Sequence, residues 1–182
     1  MPSNRVALIT GGAQGIGEAI AIRFAEDPSG IDVALLDVKG KESLLVNVVR
    51  HIEAKGRKAI WITGDVTIEE DVKAAVDKTV AELGSLDIMV ANAGVTLFKP
   101  FVDTTTEDWT RVHSINVQGL MYCYKYSASQ MIKQGKGGRI IGAGSGAGKR
   151  GNQNMTAYSA SKFAVRGLTQ ATVYVYITTE TC

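Results

Sequence analysis

Short apolar runs alternate with longer stretches of helical periodicity along the chain. The apolar runs cover residues 6–9, 31–36, 59–62, 86–91 and 139–143, and the helical stretches cover 15–27, 41–55, 68–83 and about 106–134. Continuous apolarity, without alternation, is typical of strands that are buried on both faces of a parallel sheet. Strands that alternate with helices, joined by right-handed crossovers, predict an α/β fold. We expect a doubly wound parallel sheet of about five strands with helices on both faces.

The predicted elements form one domain over residues 1–171, followed by a divergent tail at 172–182. No internal repeat, proline-rich linker or low-complexity tract divides the chain. Residues 158–170 have a helical pattern, but residues 172–179 are all β-branched or tyrosine. Such residues lose side-chain freedom in a helix and favour a strand. We therefore expect the helix to end near Gln170 and the tail to be poorly specified.

The amino-acid composition excludes several classes of protein. The 182 residues are 45% hydrophobic and 21% charged, which is ordinary for a globular protein and excludes a disordered or coiled-coil chain. A net charge of +2 without runs of like charge argues against nucleic-acid binding. No signal peptide is recognisable, and no apolar run approaches the ~18 residues that span a membrane. Only Cys123 and Cys182 are present, which favours a reducing compartment, the cytoplasm. His51 and His113 have no partners at ligand spacing, so we expect no metal site.

The first chemical motif is the glycine-rich turn TGGAQGIG at residues 10–17, between the first predicted strand and the first predicted helix. A pyrophosphate approaches a backbone closely only where side chains are absent, and the free N–H groups of a helix N-terminus stabilise it. The residues of this turn that we expect to bind a dinucleotide are Gly11, Gln14, Gly15, Ile16 and Gly17. The spacing differs from the commoner Gly-x-Gly-x-x-Gly, and a glycine turn without a ligand stays an alternative.

A carboxylate at the end of the second predicted strand supports the dinucleotide interpretation and a Rossmann-like fold. Asp37 lies twenty positions beyond Gly17, where a carboxylate accepts hydrogen bonds from an adenosine ribose. Its charge repels a 2′-phosphate, which favours NAD(H) over NADP(H). Lys39 and Lys41 are near enough in sequence to accommodate such a phosphate, so NADP(H) stays possible.

The second motif joins Ser145 to the pair Tyr158 and Lys162. The tyrosine and the lysine are four residues apart and lie on one face of a helix. A tyrosine with a reference pKa near 10 exchanges protons poorly at neutral pH, but a nearby ammonium group stabilises the phenolate form. Ser145 follows the fifth predicted strand, at the edge of the sheet where α/β folds bind their ligands, so its hydroxyl can contact the oxygen of an alcohol or a ketone. A Tyr-x-x-x-Lys pair alone is common on helix surfaces. It indicates an active site only together with Ser145 and the glycine turn.

Together these segments resemble the short-chain dehydrogenase/reductase family, from Arg5 to about Ala171. Besides the glycine turn, Asp65-Val66 matches the family's adenine-contacting pair, and Asn92-Ala93-Gly94 matches its motif after the fourth strand. Asn116, Ser145, Tyr158 and Lys162 match its catalytic tetrad one by one. The resemblance implies that Tyr158 is the acid/base and that Ser145 polarises the carbonyl. It also implies that Lys162 holds the nicotinamide ribose together with Tyr158, and that Asn116 anchors a water molecule.

Within that family, residues 135–170 are more similar to acetoin (diacetyl) reductases, butanediol dehydrogenases and polyol dehydrogenases. This weaker resemblance implies a small hydroxyketone, diketone or polyol as the substrate. The resemblance to the family as a whole implies a homodimer or homotetramer that uses the helix at 106–134 and the Tyr158 helix.

The resemblance covers five of the seven strands that the family leads us to expect. A Pro-Gly turn, a substrate loop and two strands are expected after the Tyr158 helix, and the sequence shows none of them. We therefore expect a C-terminally truncated form in which the edge of the fifth strand is open. An alternative function is binding of a dinucleotide or of a sister subunit without turnover.

Overall fold

The computed structural model describes residues 5–177, and side chains as far as residue 172. The strands are β1 Arg5–Thr10, β2 Ile31–Asp37, β3 Ala59–Thr63, β4 Ile88–Ala91 and β5 Arg139–Gly142. The helices are α1 Gly15–Ala25, α2 Glu42–Glu53, α3 Glu69–Leu83, α4 Thr106–His113, α5 Leu120–Gln134 and α6 Thr156–Ile177. A π-helical segment, Ser114–Gly119, joins α4 to α5, and short 3₁₀ turns cover Phe101–Asp103 and Gly146–Gly148.

The five strands form one parallel sheet in the order β3-β2-β1-β4-β5. β2 and β3 lie on one side of β1, and β4 and β5 lie on the other side. The strand order therefore reverses between β1 and β4, and the loops that follow these two strands diverge. In open α/β sheets, the carboxyl edge at such a reversal is the usual ligand-binding crevice. The predicted doubly wound α/β fold is confirmed.

Alternate residues of the buried strands supply the two apolar layers. Leu8 on β1 and Met89 on β4 face the side covered by α3, α5 and α6. Ile9 and Val90, one residue further along each strand, face α1 and α2 on the opposite side. Successive side chains of a strand point to opposite faces, so a strand that is covered on both faces is apolar throughout. This is the reason why the strand positions could be predicted from continuous apolar runs.

The prediction that the helix ends near Gln170 is wrong, because α6 continues to Ile177. Valine, isoleucine, tyrosine and threonine cost only a fraction of 1 kcal/mol each in a helix relative to alanine. Extending a helix that is already formed needs no new nucleation. The strand preference of residues 172–177 is therefore too weak to stop α6, while residues 178 and 179 lie outside the described residues.

The long helix predicted at 106–134 is present but contains an irregularity that periodicity did not predict. α4 begins at a capping box, in which the Thr105 Oγ1 accepts from the Asp108 N–H and the Asp108 carboxylate accepts from the Thr105 N–H, both at 3.2 Å. After α4 ends at His113, the hydrogen bonding widens to the π form over Ser114–Gly119. The wider turn places Asn116 in the interior, where it is 1% exposed. π segments occur often at functional sites.

Candidate active site

In the glycine turn between β1 and α1, two stretches of backbone pass unusually close to each other. Gly11 and Gly15 have positive φ angles of 66° and 62°, which L-residues with side chains rarely adopt. A Cβ on Gly17 would lie 2.1 Å from the Gly11 carbonyl oxygen, so no side chain fits there. Gln14 occupies the N-cap position of α1 without capping the helix through its side chain. The first N–H groups of α1 are thus left without a side-chain cap, as an anion-binding turn requires.

The end of β4 is tied to this turn. The Thr10 Oγ1 accepts hydrogen bonds from the N–H groups of Asn92 and Ala93, at 3.1 and 3.0 Å. The Asn92 side-chain amide donates to the carbonyls of Thr10 and Gly11, at 3.0 and 3.3 Å. Asn92 therefore fixes the backbone of the turn, and it also lines the cavity described below.

Asp37 and Lys41 lie on the β2 side of the turn. The Asp37 Oδ2 accepts from the Ala13 N–H at 3.0 Å, and its Oδ1 accepts from the Val38 N–H at 2.9 Å. The Lys41 ammonium donates to the Gln14 side-chain oxygen at 3.1 Å. The carboxylate is therefore fixed at the end of β2, and a cation lies one hydrogen bond away from the turn.

The loop after β3 carries Asp65 and Val66. The Asp65 Oδ1 accepts from both the N–H and the hydroxyl of Thr67, each at 2.9 Å, and the Asp65 N–H donates to the Asp71 carboxylate at 2.8 Å. Val66 is 7% exposed and packs against Gly119, where a Cβ would come within 2.9 Å of it. The loop is thereby held against the π segment.

These segments enclose a cavity of about 390 Å³ at the reversal of strand order. Volumes of this size are typical of small-molecule sites. Its lining includes nine of the predicted cofactor residues, namely Gly11, Gln14, Ile16, Asp37, Asp65, Val66, Asn92, Ala93 and Gly94. Gly15 and Gly17 do not line it; Gly17 is buried in the turn, whereas Gly15 is exposed. Leu36, Val38, Gly64, Val95 and Ile115 also line the cavity, and sequence reasoning missed them.

Tyr158 and Lys162 lie together on α6, as their spacing predicts. The Lys162 Nζ is 5.6 Å from the centre of the Tyr158 ring and donates to the Ala143 carbonyl at 2.8 Å. Lys162 is only 5% exposed, and burial lowers the pKa of its ammonium group. An ammonium group has three N–H donors. Only one of them has an acceptor within the described part of the chain, so this buried cation can bind further oxygen atoms.

Ser145 caps the 3₁₀ turn Gly146–Gly148, and this turn packs on α6. Its Oγ accepts from the Ala147 N–H at 3.1 Å, and its own O–H has no acceptor among residues 5–177. The turn packs closely on α6, since a Cβ on Gly148 would be 2.6 Å from the Lys162 carbonyl oxygen. The serine is therefore free to donate to an oxygen atom outside the chain.

Asn116 is near these residues but does not line the cavity. Its Oδ1 accepts from the Val95 N–H at 2.8 Å, and its Nδ2 donates to the Val95 carbonyl at 2.9 Å and to the Ser161 Oγ at 3.0 Å. A Cβ on Gly94 would lie 3.2 Å from the Asn116 Oδ1 and 3.7 Å from the Lys162 Nζ. Asn116 and Lys162 thus approach the same point of the β4 loop. No sequence pattern pointed to Ser161, which resembles a spacer between Tyr158 and Lys162.

Comparison with known proteins agrees with this geometry. The family model described as short chain dehydrogenase matches residues 5–178. The chain belongs to the short-chain dehydrogenase family. The family's Rossmann-type architecture accounts for the glycine turn and for the reversal of strand order. Within residues 5–177, no helix has the length and apolarity needed to cross a membrane, and no three His, Cys, Asp or Glu side chains are grouped as metal ligands would be.

Three relatives illustrate the position of the chain in this family. A short-chain dehydrogenase/reductase of Armillaria gallica is 55% identical over 91% of this chain and 63% of its own length. An L-2,3-butanediol dehydrogenase of Corynebacterium glutamicum is 38% identical over 92% of this chain and 64% of its own. The crystal structure of an NAD⁺-bound xylitol dehydrogenase superimposes with a TM-score of 0.87 at 38% identity, over 94% of this chain and 65% of the other. The chain thus spans just under two thirds of the length of these relatives.

Proposed function

We propose that this chain provides the cofactor site and the acid/base group of an oxidoreductase that interconverts a secondary alcohol and a ketone with a nicotinamide dinucleotide. The observation that carries the proposal is Lys162, a buried ammonium group beside the Tyr158 ring with one acceptor from the described residues. Burying a cation without a full set of partners is unfavourable for folding alone. The hydroxyl groups of a ribose would complete that set.

The residues around the cavity fit a dinucleotide. The Gly11–Gly17 turn and the uncapped start of α1 suit a pyrophosphate, and the Asp37 carboxylate at the rim suits ribose hydroxyls. Asp65 and Val66 line the same cavity, where an adenine would lie. The fit supports binding of NAD(H), and Asp37 favours it over NADP(H). Lys41, next to Gln14, is the residue that would tolerate a 2′-phosphate.

The reaction is assigned to three side chains. A bound oxidised nicotinamide supplies the acceptor for the hydride that leaves the alcohol carbon. The phenolate of Tyr158 takes the proton of the alcohol hydroxyl, and in the reverse direction the phenol returns it to the ketone oxygen. The Ser145 hydroxyl donates a hydrogen bond to that oxygen as its charge changes. The Lys162 ammonium stabilises the phenolate and binds the ribose.

The substrate class is a small hydroxyketone, diketone or polyol. The similarity to a butanediol dehydrogenase and to a xylitol dehydrogenase supports this class, because both names describe small molecules with neighbouring hydroxyl groups. We propose acetoin, 2,3-butanediol and xylitol as the first compounds to test.

The test is alcohol-dependent formation of NADH by the purified chain, compared with Tyr158→Phe. The phenylalanine variant keeps the ring beside Lys162 but removes the proton donor, so we expect NADH binding to persist while turnover disappears. Turnover of the wild type that does not exceed that of the variant would refute the proposed reaction for this chain.

Binding of a dinucleotide without turnover is the second candidate function. It is favoured by the composition of the cavity wall, which includes nine predicted cofactor residues but none of the four predicted catalytic residues. Thermal stabilisation by NADH, together with an inactive wild type, would support it. If NADH neither stabilises the protein nor changes its fluorescence, both functions fail.

We also propose a cytoplasmic homodimer or homotetramer that uses α4, α5 and α6. Trp109 on α4 and Phe163 on α6 are 39% and 46% exposed, and large exposed apolar side chains are frequent in subunit interfaces. A monomer in sedimentation at micromolar concentration would contradict this assembly.

A further inference from the structure

Ser161 connects the active-site helix to the π segment. Its side chain is fully buried, with an exposure of 0%. The hydroxyl donates to the Tyr158 carbonyl at 2.7 Å and accepts from the Asn116 Nδ2 at 3.0 Å. A serine hydroxyl has one donor, so the donation to Tyr158 leaves the oxygen lone pairs for Asn116. The direction of both hydrogen bonds is therefore determined by the contacts themselves.

The connection continues from Asn116 to the wall of the cavity. Two further hydrogen bonds join the Asn116 carboxamide to the N–H and the carbonyl of Val95, which lines the cavity. The carboxamide uses both N–H groups and its oxygen in these contacts. Ser161, Asn116 and Val95 thus form a continuous hydrogen-bonded path from α6 to the loop that follows β4.

The path ends where the buried ammonium group faces that loop. Gly94, next to Val95, is the point that the Asn116 Oδ1 and the Lys162 Nζ both approach. Lys162 follows Ser161 in sequence, so the contact between Ser161 and Asn116 joins the loop to the backbone of α6 directly beside the lysine. We propose that Ser161 is a positioning residue that acts through Asn116 to hold Tyr158 and Lys162 at the correct distance from the cavity wall. This inference rests on the proposed oxidoreductase function.

Replacing Ser161 by alanine removes the acceptor for one Asn116 N–H without removing any group that contacts the substrate. The buried carboxamide then has a donor without a partner, which favours a different orientation of Asn116 and a shift of α6. A displacement of about 1 Å at reacting groups costs up to about 100-fold in rate. Binding at the adenosine side of the cavity, which is remote from α6, should not change.

The experiment compares Ser161→Ala with Thr169→Val, a matched control on the same helix. Thr169 also bridges α6 to the neighbouring helix through its hydroxyl, at 2.9 Å from the Tyr124 hydroxyl, but it does not contact Asn116. We expect Ser161→Ala to lower kcat about tenfold, with KM for NAD⁺ and for the alcohol changed by less than about twofold. The pH of half-maximal kcat/KM should stay the same, since Tyr158 and Lys162 both lie on α6 and keep their distance from each other when the helix shifts. The control should change neither quantity.

A double-mutant cycle tests whether Ser161 acts through Asn116. In an Asn116→Ala background, the serine substitution should change kcat by less than about twofold. An equal effect in both backgrounds, or an active wild type with an unaffected Ser161→Ala variant, overturns the inference and leaves the proposed function intact. An inactive wild type instead refutes the proposed function.

The contact itself can be measured without turnover. In ¹⁵N-labelled protein, Ser161→Ala should accelerate hydrogen exchange of the Asn116 side-chain amide about tenfold or more, and Thr169→Val should not. Unchanged exchange overturns the inference even if the Asn116→Ala variant does not fold.

Discussion

The close packing around Gly17 in the glycine turn gives a quantitative prediction for Gly17→Ala. The added Cβ would lie 2.1 Å from the Gly11 carbonyl oxygen and 2.8 Å from the Asn92 Nδ2. Optimal contacts between such atoms are roughly 3.5 Å, so the turn must move by about 1 Å or more. Because Asn92 donates to the Gly11 carbonyl, that movement also disturbs the contact between the turn and β4.

We expect Gly17→Ala to lower the free energy of unfolding by about 3 kcal/mol, the upper end of what overpacking costs. For a chain of this length, that corresponds to a Tm lower by about 6–12 °C. Affinity for NADH should fall at least about tenfold, since the displaced backbone is the proposed pyrophosphate site. Urea unfolding followed by circular dichroism and titration with NADH followed by fluorescence measure the two effects.

Gly167→Ala is the matched control. Gly167 lies within α6, and a Cβ there would meet nothing within 4 Å. Alanine is a better helix former than glycine, so this substitution should raise stability by about 1 kcal/mol. If Gly17→Ala unfolds within about 1 kcal/mol of the wild type and binds NADH within twofold, the steric reasoning about the turn is wrong.

Three further predictions follow from named groups. Asp37→Asn should shift the ratio of NAD⁺ to NADP⁺ affinity at least about tenfold towards NADP⁺, measured by calorimetry, and Lys41→Met should weaken NADP⁺ alone. Burial lowers the pKa of Lys162, so between that lowered pKa and 10.5 the unfolded chain binds more protons than the folded chain. The free energy of unfolding of the wild type therefore rises with pH over this range. Lys162→Met should lose this rise, measured by urea titrations at several pH values. Burial raises the pKa of Cys123 to about 12, so in a Cys182→Ser background iodoacetamide should label the protein at neutral pH only after unfolding.

The strands and the two motifs could be predicted because local pattern determines them. A strand covered on both faces must be apolar throughout. Residues four apart on a helix are neighbours, so Tyr158 and Lys162 lie together as expected. The glycine turn was recognisable because several of its backbone positions allow only glycine.

The parts that sequence reasoning missed depend on tertiary contacts. Val38 and Ile115 are ordinary apolar residues that line the cavity only because the loop after β2 and the π segment meet there. Ser161 accepts a hydrogen bond from Asn116, which lies 45 positions earlier in the chain, in the π segment. The end of α6 was predicted incorrectly because intrinsic preference was weighed without the favourable extension of an existing helix.

The π segment makes the length of its helix functionally critical. A π turn holds one residue more than an α turn, so deletion of one residue between 114 and 119 would let the backbone close into an uninterrupted α-helix. α4 and α5 would then keep their orientations, because an N–H that bonds five residues back in the π form would bond the same carbonyl four residues back after the deletion. Such a protein would keep its helical content and most of its core, yet lose the inward orientation of Asn116. Shortening this helix by one residue should therefore damage activity more than it damages folding.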